Sequence, residues 1–201
     1  MAKHLFAPLT LRDLVGIVTQ RSAPLPPGTA LPDIMIGTRK DDALIGLAGA
    51  DSLFGEKGDD RLFGGLDADW LFGGAGDDTL WGAGPGSAND HATDYLNGGA
   101  GDDRLHVGAG DYANGGEGAD TYVMDDHPAD QDAAQITDWH PGEDSLVVVY
   151  DPAAHPDPVL DVLTEKDSPD ATITLDGVPI AHVAGGAGLV ASDIQLQAEA
   201  A

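Results

Sequence analysis

The stretch GTRKDDALIGLAGADSLFGEKGDDRLFGGLDADWLFGGAGDDTLW, residues 37–81, decides the fold because it divides into five units of nine residues. Each unit begins with Gly, carries Asp at its sixth position and has Leu at its eighth. Two more units of this kind follow, GGAGDDRLH at 98–106 and GGEGADTYV at 115–123. Self-similarity at a short fixed period indicates a stack of repeated elements that bury their apolar sides against one another.

One unit can be interpreted directly from its residues. Glycine permits positive φ and close backbone approach, so the first six residues are expected to form a turn. The last three form a short strand whose middle residue points into the stack while its neighbours point outward. The expected core is Leu44, Leu53, Leu62, Leu71, Leu80, Leu96, Leu105 and Tyr122.

The aspartate at position six is the expected functional residue. Stacked turns bring carboxylates and backbone carbonyls of two units together, and such a cage of hard oxygen atoms suits Ca²⁺ better than Mg²⁺. The predicted ligands at position six are Asp42, Asp51, Asp60, Asp69, Asp78, Asp94, Asp103, Asp111 and Asp120. Glycines of the regular units are expected to complete the sites: Gly55, Gly58, Gly73, Gly74, Gly76, Gly98, Gly99, Gly101, Gly115, Gly116 and Gly118.

Composition supports bound cations. The 201 residues include 35 acidic residues against 9 Lys and Arg, a formal net charge of −26. Such a chain is either disordered or completed by cations, and a hydrophobic content of 42% argues against simple disorder. The acidity excludes nucleic acid as a partner, because no basic patch exists to attract phosphate. The absence of cysteine excludes disulfides and zinc–thiolate sites. No apolar run is long enough for a transmembrane helix.

On these motifs the chain resembles the RTX (repeats-in-toxin) family of hemolysin-type calcium-binding repeats, most clearly over residues 37–123. The resemblance implies an all-β fold, a right-handed parallel β-roll of about nine GGxGxDxUx repeats with a C-terminal β cap. It also implies two units per turn, so that alternate units stack along opposite edges. The odd edge would carry Asp42, Asp60, Asp78, Asp103 and Asp120, and the even edge Asp51, Asp69, Asp94 and Asp111.

The two edges differ in regularity. Position five on the odd edge adds Asp59, Asp77 and Asp102, whereas the even edge has Ala50, Ala68 and Thr93. Both irregular units, a long one at 82–97 and a short one at 107–114, fall on the even edge. We therefore expect about four strong calcium sites on the odd edge and one to three weaker ones opposite, about five to seven in all.

The flanking segments give a domain organisation. Residues 1–36 are predicted to hold a short N-terminal helix, at 9–20, and a proline-rich linker; 37–123 the roll; and 124–201 a β cap with a C-terminal secretion-signal region. Within the cap, residues 171–183 predict a hairpin around Asp176 and Gly177. No cleavable N-terminal signal is visible, because Arg12 and Asp13 interrupt the apolar stretch. The C-terminal sequence resembles that of type I secreted proteins, which predicts a secreted, extracellular protein that uses type I secretion machinery.

Large side chains recur at position nine of the strands, and Trp70 stands at position seven. The outward row Phe54, Phe63, Phe72 and Trp81 is either a ladder that binds carbohydrate or a partner, or a surface covered by other parts of this chain. The predicted helix at 9–20 is one candidate for such a cover.

No catalytic site is predicted. The sequence has no HExxH zinc motif and no GxSxG nucleophile motif, and its seven histidines are scattered. Three hypotheses remain open. The chain is a non-enzymatic structural, adhesive or matrix-associated protein, or it is an accessory carbohydrate-binding module resembling the R modules of alginate epimerases. A polysaccharide or a cell surface would be the partner. In the third hypothesis the chain has lost an enzyme and serves as an export or folding scaffold.

Overall fold

The computed structural model describes residues 16–19, 27–83, 92–125 and 132–199. Within them the chain forms strands, one short 3-10 helix at Ala191–Asp193, and no α-helix. The strands in chain order are β1 (Gly16–Thr19), β2 (Asp33–Ile36), β3 (Ala43–Ala48), β4 (Ser52–Lys57), β5 (Arg61–Leu66), β6 (Trp70–Ala75), β7 (Thr79–Ala83), β8 (Tyr95–Ala100), β9 (Arg104–Val107), β10 (Tyr112–Glu117), β11 (Thr121–Asp125), β12 (Ala134–Ile136), β13 (Ser145–Tyr150), β14 (Leu160–Thr164), β15 (Ala171–Leu175), β16 (Val178–Val183) and β17 (Ile194–Ala198).

Successive repeat strands alternate between two parallel sheets. The even sheet has the order β1-β2-β4-β6-β8-β10-β12-β16-β15-β14, and the odd sheet has the order β17-β13-β11-β9-β7-β5-β3. Each strand therefore pairs with the strand two units away, and two units complete one turn. This topology confirms the predicted parallel β-roll.

The core is a stack of position-eight side chains in exact register. In the odd sheet Leu44 pairs with Leu62, Leu62 with Leu80 and Leu80 with Leu105. The eight predicted core side chains are all at most 2% exposed. Burying one leucine of this kind contributes about 1.5–3 kcal/mol, which compensates for strands too short to be stable alone.

The stack begins one unit before the predicted boundary at Gly37. Residues 28–36, GTALPDIMI, form a further turn and strand, and β2 pairs with β4 in register. Met35 takes the core position and is fully buried. The proline-rich linker predicted up to residue 36 is therefore part of the roll from Gly28 onward, and residues 21–26 lie outside the described residues.

The N-terminal helix predicted at 9–20 is wrong for residues 16–19. These form β1, which pairs in parallel with β2. Three of the four residues, Ile17, Val18 and Thr19, are β-branched and favour extended backbone. The open edge of β2 also offers the hydrogen bonds that an isolated short helix would have to make alone. The rest of the predicted helix lies outside the described residues.

The C-terminal segment continues both sheets and then closes one of them. β13 and β17 extend the odd sheet in parallel, while β14, β15 and β16 end the even sheet with antiparallel pairs. The predicted hairpin is confirmed, with Asp176 and Gly177 at φ of 51° and 83° between β15 and β16. In the described parts of the chain, no helix is long and apolar enough to cross a membrane.

Candidate metal centre

The position-six aspartates form one buried column along each edge. On the odd edge the backbone N–H of Asp42 donates to Oδ1 of Asp60, that of Asp60 to Asp78, and that of Asp78 to Asp103, each over 2.7 Å. The same ladder runs along the even edge over 2.7–2.9 Å. All nine predicted aspartates are at most 8% exposed. The fold therefore places all nine in two columns, one along each edge.

The second carboxylate oxygen marks the candidate ion positions. Oδ2 of Asp60, Asp78, Asp103 and Asp120 is buried and has no hydrogen-bond partner among the described residues; Oδ2 of Asp51 on the even edge is in the same situation. An unsatisfied buried carboxylate oxygen is costly. Such atoms are expected where a cation belongs to the folded state.

The position-one glycines line a cradle around these oxygens. A Cβ atom added to Gly55 would lie within 3 Å of both Asp60 Oδ2 and the carbonyl oxygen of Gly73 in the next odd unit. The same convergence of a carboxylate and a carbonyl oxygen occurs at Gly73 and Gly98. Any side chain at these positions would fill the space between the oxygens. Glycine is therefore required here to keep the oxygen cage open.

Apart from Gly115, a position-one glycine whose added Cβ atom would lie within 3 Å of Asp120 Oδ2, the remaining predicted glycines shape the turns. Each of these turn glycines has a positive φ, which costs glycine nothing. A Cβ atom on every one would come within 3 Å of backbone in the preceding layer. These turn glycines are Gly58, Gly74, Gly76, Gly99, Gly101, Gly116 and Gly118.

The electrostatics of the columns oppose folding without cations. Burial, with repulsion from neighbouring carboxylates, raises the pKa of Asp60 and Asp103 to about 7, although a backbone hydrogen bond to each acts in the opposite direction. The same causes raise the pKa of Asp51, Asp78 and Asp120 to about 6. Above pH 7 these five carboxylates would be ionised in buried positions, where a bound cation would stabilise them.

A second ladder of aspartates runs along the odd edge. Oδ1 of Asp41 accepts a hydrogen bond from the backbone N–H of Asp59. In the same way Oδ1 of Asp59 accepts from the N–H of Asp77, and Oδ1 of Asp77 from the N–H of Asp102, each over 3.0 Å. The even edge has Ala50, Ala68 and Thr93 at the corresponding places. The odd edge therefore carries more carboxylates per layer, although Asp67 on the even edge also accepts from Gly49 N of the preceding layer over 3.2 Å.

In some aspartates of the columns, Oδ2 already accepts hydrogen bonds from residues of its own turn. Asp42 Oδ2 accepts from Thr38 N and Oγ1 over 2.6 and 2.8 Å. Asp111 Oδ2 accepts from Gly108 N over 2.7 Å, in the shortened even unit. These two predicted ligands stand in their columns but are less available to an ion. The two remaining even-edge aspartates, Asp69 and Asp94, direct Oδ2 at the glycine cradles of Gly64 and Gly82.

Sequence reasoning missed three members of these ladders and one aspartate beside them. Asp33 and Asp144 extend the even and odd columns by one layer each. Their units keep Asp at position six and an apolar residue at position eight, a signal that was readable despite lost glycines. Asp41 occupies position five of the first unit, so the repeat pattern alone could have identified it. Asp138, two residues after β12, accepts from Gly115 N, Gly116 N and the hydroxyl of the buried Tyr122.

The donor set fits a hard divalent cation. No group of three or more acidic or histidine side chains that could hold a metal occurs in the described portion of the chain. Each cradle instead joins one unsatisfied carboxylate oxygen to a backbone carbonyl of the adjacent layer. Oxygen-only donors of this kind suit Ca²⁺.

Comparison with known families agrees with this geometry. The family model of the RTX calcium-binding nonapeptide repeat matches residues 27–62, 54–84 and 92–122. Residues 27–122 form an RTX calcium-binding repeat region. The RTX match includes residues 28–36, the unit that the structure adds to the stack. Repeats of the RTX family bind calcium and are typically non-catalytic. No curated protein matched the chain.

Proposed function

We propose that this chain is a secreted, non-enzymatic calcium-binding protein that folds when about five to seven calcium ions enter the turns of its roll. The observation that carries the proposal is the row of buried, unsatisfied Oδ2 atoms at Asp60, Asp78, Asp103 and Asp120. These four would be the strong sites, with Asp51 and its even-edge neighbours binding more weakly.

Energetics supports a folding role for the ions. Residues 37–123 carry 15 Asp and 2 Glu against 5 Lys and Arg, so five or six divalent ions would neutralise most of that charge. A site with a dissociation constant of about 0.1 mM gains roughly 1.4 kcal/mol from calcium at about 1 mM. Five such sites would supply about 7 kcal/mol, within the usual range of domain stabilities. Calcium would then decide whether the roll folds.

The proposed export route uses the same dependence of folding on calcium. Low cytosolic calcium would keep the chain unfolded for passage through type I secretion machinery, and higher extracellular calcium would then fold it. We propose the segment after residue 123 as a β cap with a C-terminal secretion-signal region. Outside the cell the folded roll would serve a structural, adhesive or matrix-associated role toward a polysaccharide or a cell surface.

A second candidate is an accessory carbohydrate-binding module, resembling the R modules of alginate epimerases. The observation that favours it is the exposed aromatic row on the even sheet, where Trp70, Tyr95 and Tyr112 are 48%, 36% and 42% exposed. Exposed stacked aromatic side chains are unusual on a surface without a ligand or partner.

Calcium counting on the full chain tests the proposal. We expect equilibrium dialysis to give about five to seven bound ions, together with a large decrease of the hydrodynamic radius in size-exclusion chromatography. The Asp103→Asn variant should bind fewer ions, whereas Asp167→Asn, which alters an exposed turn of the cap, should bind the same number. Compaction without bound calcium, or one or no bound ions, would overturn it.

A further inference from the structure

The outer face of the even sheet carries a row of stacked aromatic rings. Trp70, Tyr95 and Tyr112 occupy position seven of consecutive layers and pair in register. Their ring centroids are 4.3 and 5.2 Å apart, with ring planes within 16° of parallel. The next residues in the row are Gln135 and then His182, which pairs with Gln135 across β12 and β16.

A groove of about 390 Å³ lies at the end of this row. Its lining combines the tyrosine pair with polar groups from the even-edge turns and the cap strands, among them Thr93, Asp132, Gln135 and His182. Gly110 contributes to the floor, where the nearest side chains to an added Cβ, Thr93 and Asp132, would be almost 4 Å away. The volume lies within the range of ligand pockets.

The row ends at the groove with Tyr112, whose side chain is 42% exposed. Face-to-face stacking occupies the faces between Trp70, Tyr95 and Tyr112. Among the described residues, no further ring stacks on Tyr112, and its neighbour in the next layer is Gln135. A parallel row of amides stands beside the rings, with Asn97 Nδ2 donating to Asn114 Oδ1 over 3.1 Å. An apolar ring face beside amide and hydroxyl groups suits the CH face and hydroxyl groups of a sugar.

Charge and ring geometry narrow the ligand class. The groove lining contains one carboxylate, Asp132, and no Lys or Arg. The chain carries −26, which the five to seven proposed calcium ions would reduce only to about −16 to −12. Anionic saccharides would therefore be repelled. A quaternary ammonium ligand is typically enclosed by several ring faces, whereas the stacked row offers the groove the face of one ring, that of Tyr112. The outer face of the odd sheet, by contrast, carries the exposed Arg61 and Arg104 beside Phe63, Trp81 and His106.

We propose that the groove at the end of the Trp70–Tyr95–Tyr112 row binds an uncharged oligosaccharide, with one sugar ring packed on Tyr112. The inference rests on the proposed calcium-folded roll, because the row exists only when β6, β8 and β10 are stacked. The inference places the carbohydrate contact on the even sheet. It also restricts the ligand to neutral rather than uronic sugars.

Isothermal titration calorimetry of the full chain in saturating calcium tests the site. The probes are cellohexaose, maltohexaose and chitohexaose, with oligoguluronate as the charged comparison. We expect saturable binding of at least one neutral hexasaccharide with little dependence on salt, since no charge pairing is involved. Tyr112→Ala should weaken that binding about tenfold or more, the loss typical of a stacking anchor. His182→Ala should weaken it less.

The matched control is Trp81→Ala, which removes a ring stacked between Phe63 and His106 on the odd sheet. It should leave the affinity within about twofold of the parent protein, an energy difference well under 1 kcal/mol. The inference is overturned if none of the three neutral probes binds. It is also overturned if oligoguluronate binds more tightly than all of them, or if Trp81→Ala costs as much as Tyr112→Ala. Circular dichroism on the same samples distinguishes failure of the sugar site from failure of the proposed function. If the chain folds in calcium but binds no sugar, only the proposed sugar site is refuted. If calcium does not change its fold, the proposed function is refuted.

Discussion

The backbone N–H of Asp60 donates to Oδ1 of Asp78 over 2.7 Å, while Oδ2 of Asp78 is buried without a hydrogen-bond partner among the described residues. One oxygen of the carboxylate thus holds two layers together, and the other remains directed into the cradle that Gly73 leaves open. The same division recurs at Asp60, Asp103 and Asp120 on this edge. A single side chain therefore links the stacking of the roll to the proposed binding of calcium.

The contrast between Asp103 and Asp111 predicts unequal calcium sites. Asp103 Oδ2 has no hydrogen-bond partner among the described residues, whereas Asp111 Oδ2 already accepts from Gly108 N. We expect Asp103→Asn to raise the calcium concentration at the folding midpoint several-fold, the effect of losing roughly 1 kcal/mol or more. Asp111→Asn should shift it much less. Fluorescence-monitored calcium titration of both variants measures the difference, and equal shifts would refute the predicted inequality of the Asp103 and Asp111 sites.

The glycine cradle predicts a steric effect that is independent of charge. A Cβ atom on Gly73 would lie within 3 Å of Asp78 Oδ2 and of Gly98 O. Gly73→Ala should therefore remove one site and weaken calcium-induced folding about tenfold or more, since an adjacent layer must also shift. Gly188→Ala is the control, because no heavy atom of the described structure lies within 4 Å of its Cβ position. Thermal unfolding in calcium should separate the two variants; comparable melting temperatures would count against the cradle.

The raised aspartate pKa values predict opposite pH effects without and with calcium. The pKa of Asp60 and Asp103 is about 7 in the ion-free roll, against about 4 in the unfolded chain. The folded state therefore binds more protons between these values, so acidification favours the ion-free roll and a rise through pH 7 destabilises it. We expect more β structure in chelator near pH 5 than near pH 8.

Calcium affinity should change in the other direction. Protons and calcium compete for the same carboxylates, so the apparent affinity should fall as pH decreases from about 8 to about 5. Far-ultraviolet circular dichroism and calcium titration at both pH values measure the two effects. Ion-free protein that loses β structure on acidification would contradict the assigned pKa directions.

Much of the roll follows from the sequence because its repeat determines two features at once. The phase of Leu44, Leu53 and Leu62 determines which side chains are buried, and the same phase places the aspartates in two columns. Where glycines are replaced, as by Thr29 and Leu31 in the first turn, the motif is harder to see although Asp33 and Met35 keep their places. The repeat is therefore most informative in its interior.

Other features depend on contacts that a periodic sequence does not reveal. The apolar spacing of residues 9–20 suits a helix, but the open edge of β2 recruits residues 16–19 as a strand. The role of Asp138 depends on where the last layer ends, since it caps the N–H groups of Gly115 and Gly116. The groove beside Tyr112 likewise joins residues from the roll and from the cap, which are distant in sequence.

The most direct test of the calcium-folded roll is a circular dichroism titration of chelator-treated full chain with calcium, and with magnesium as the control. The predicted result is a cooperative gain of β structure at sub-millimolar to millimolar calcium and little change with magnesium, which retains its waters and its octahedral geometry. A chain that already has its full β signal in chelator, or that responds equally to magnesium, would contradict the conclusion that calcium folds this protein.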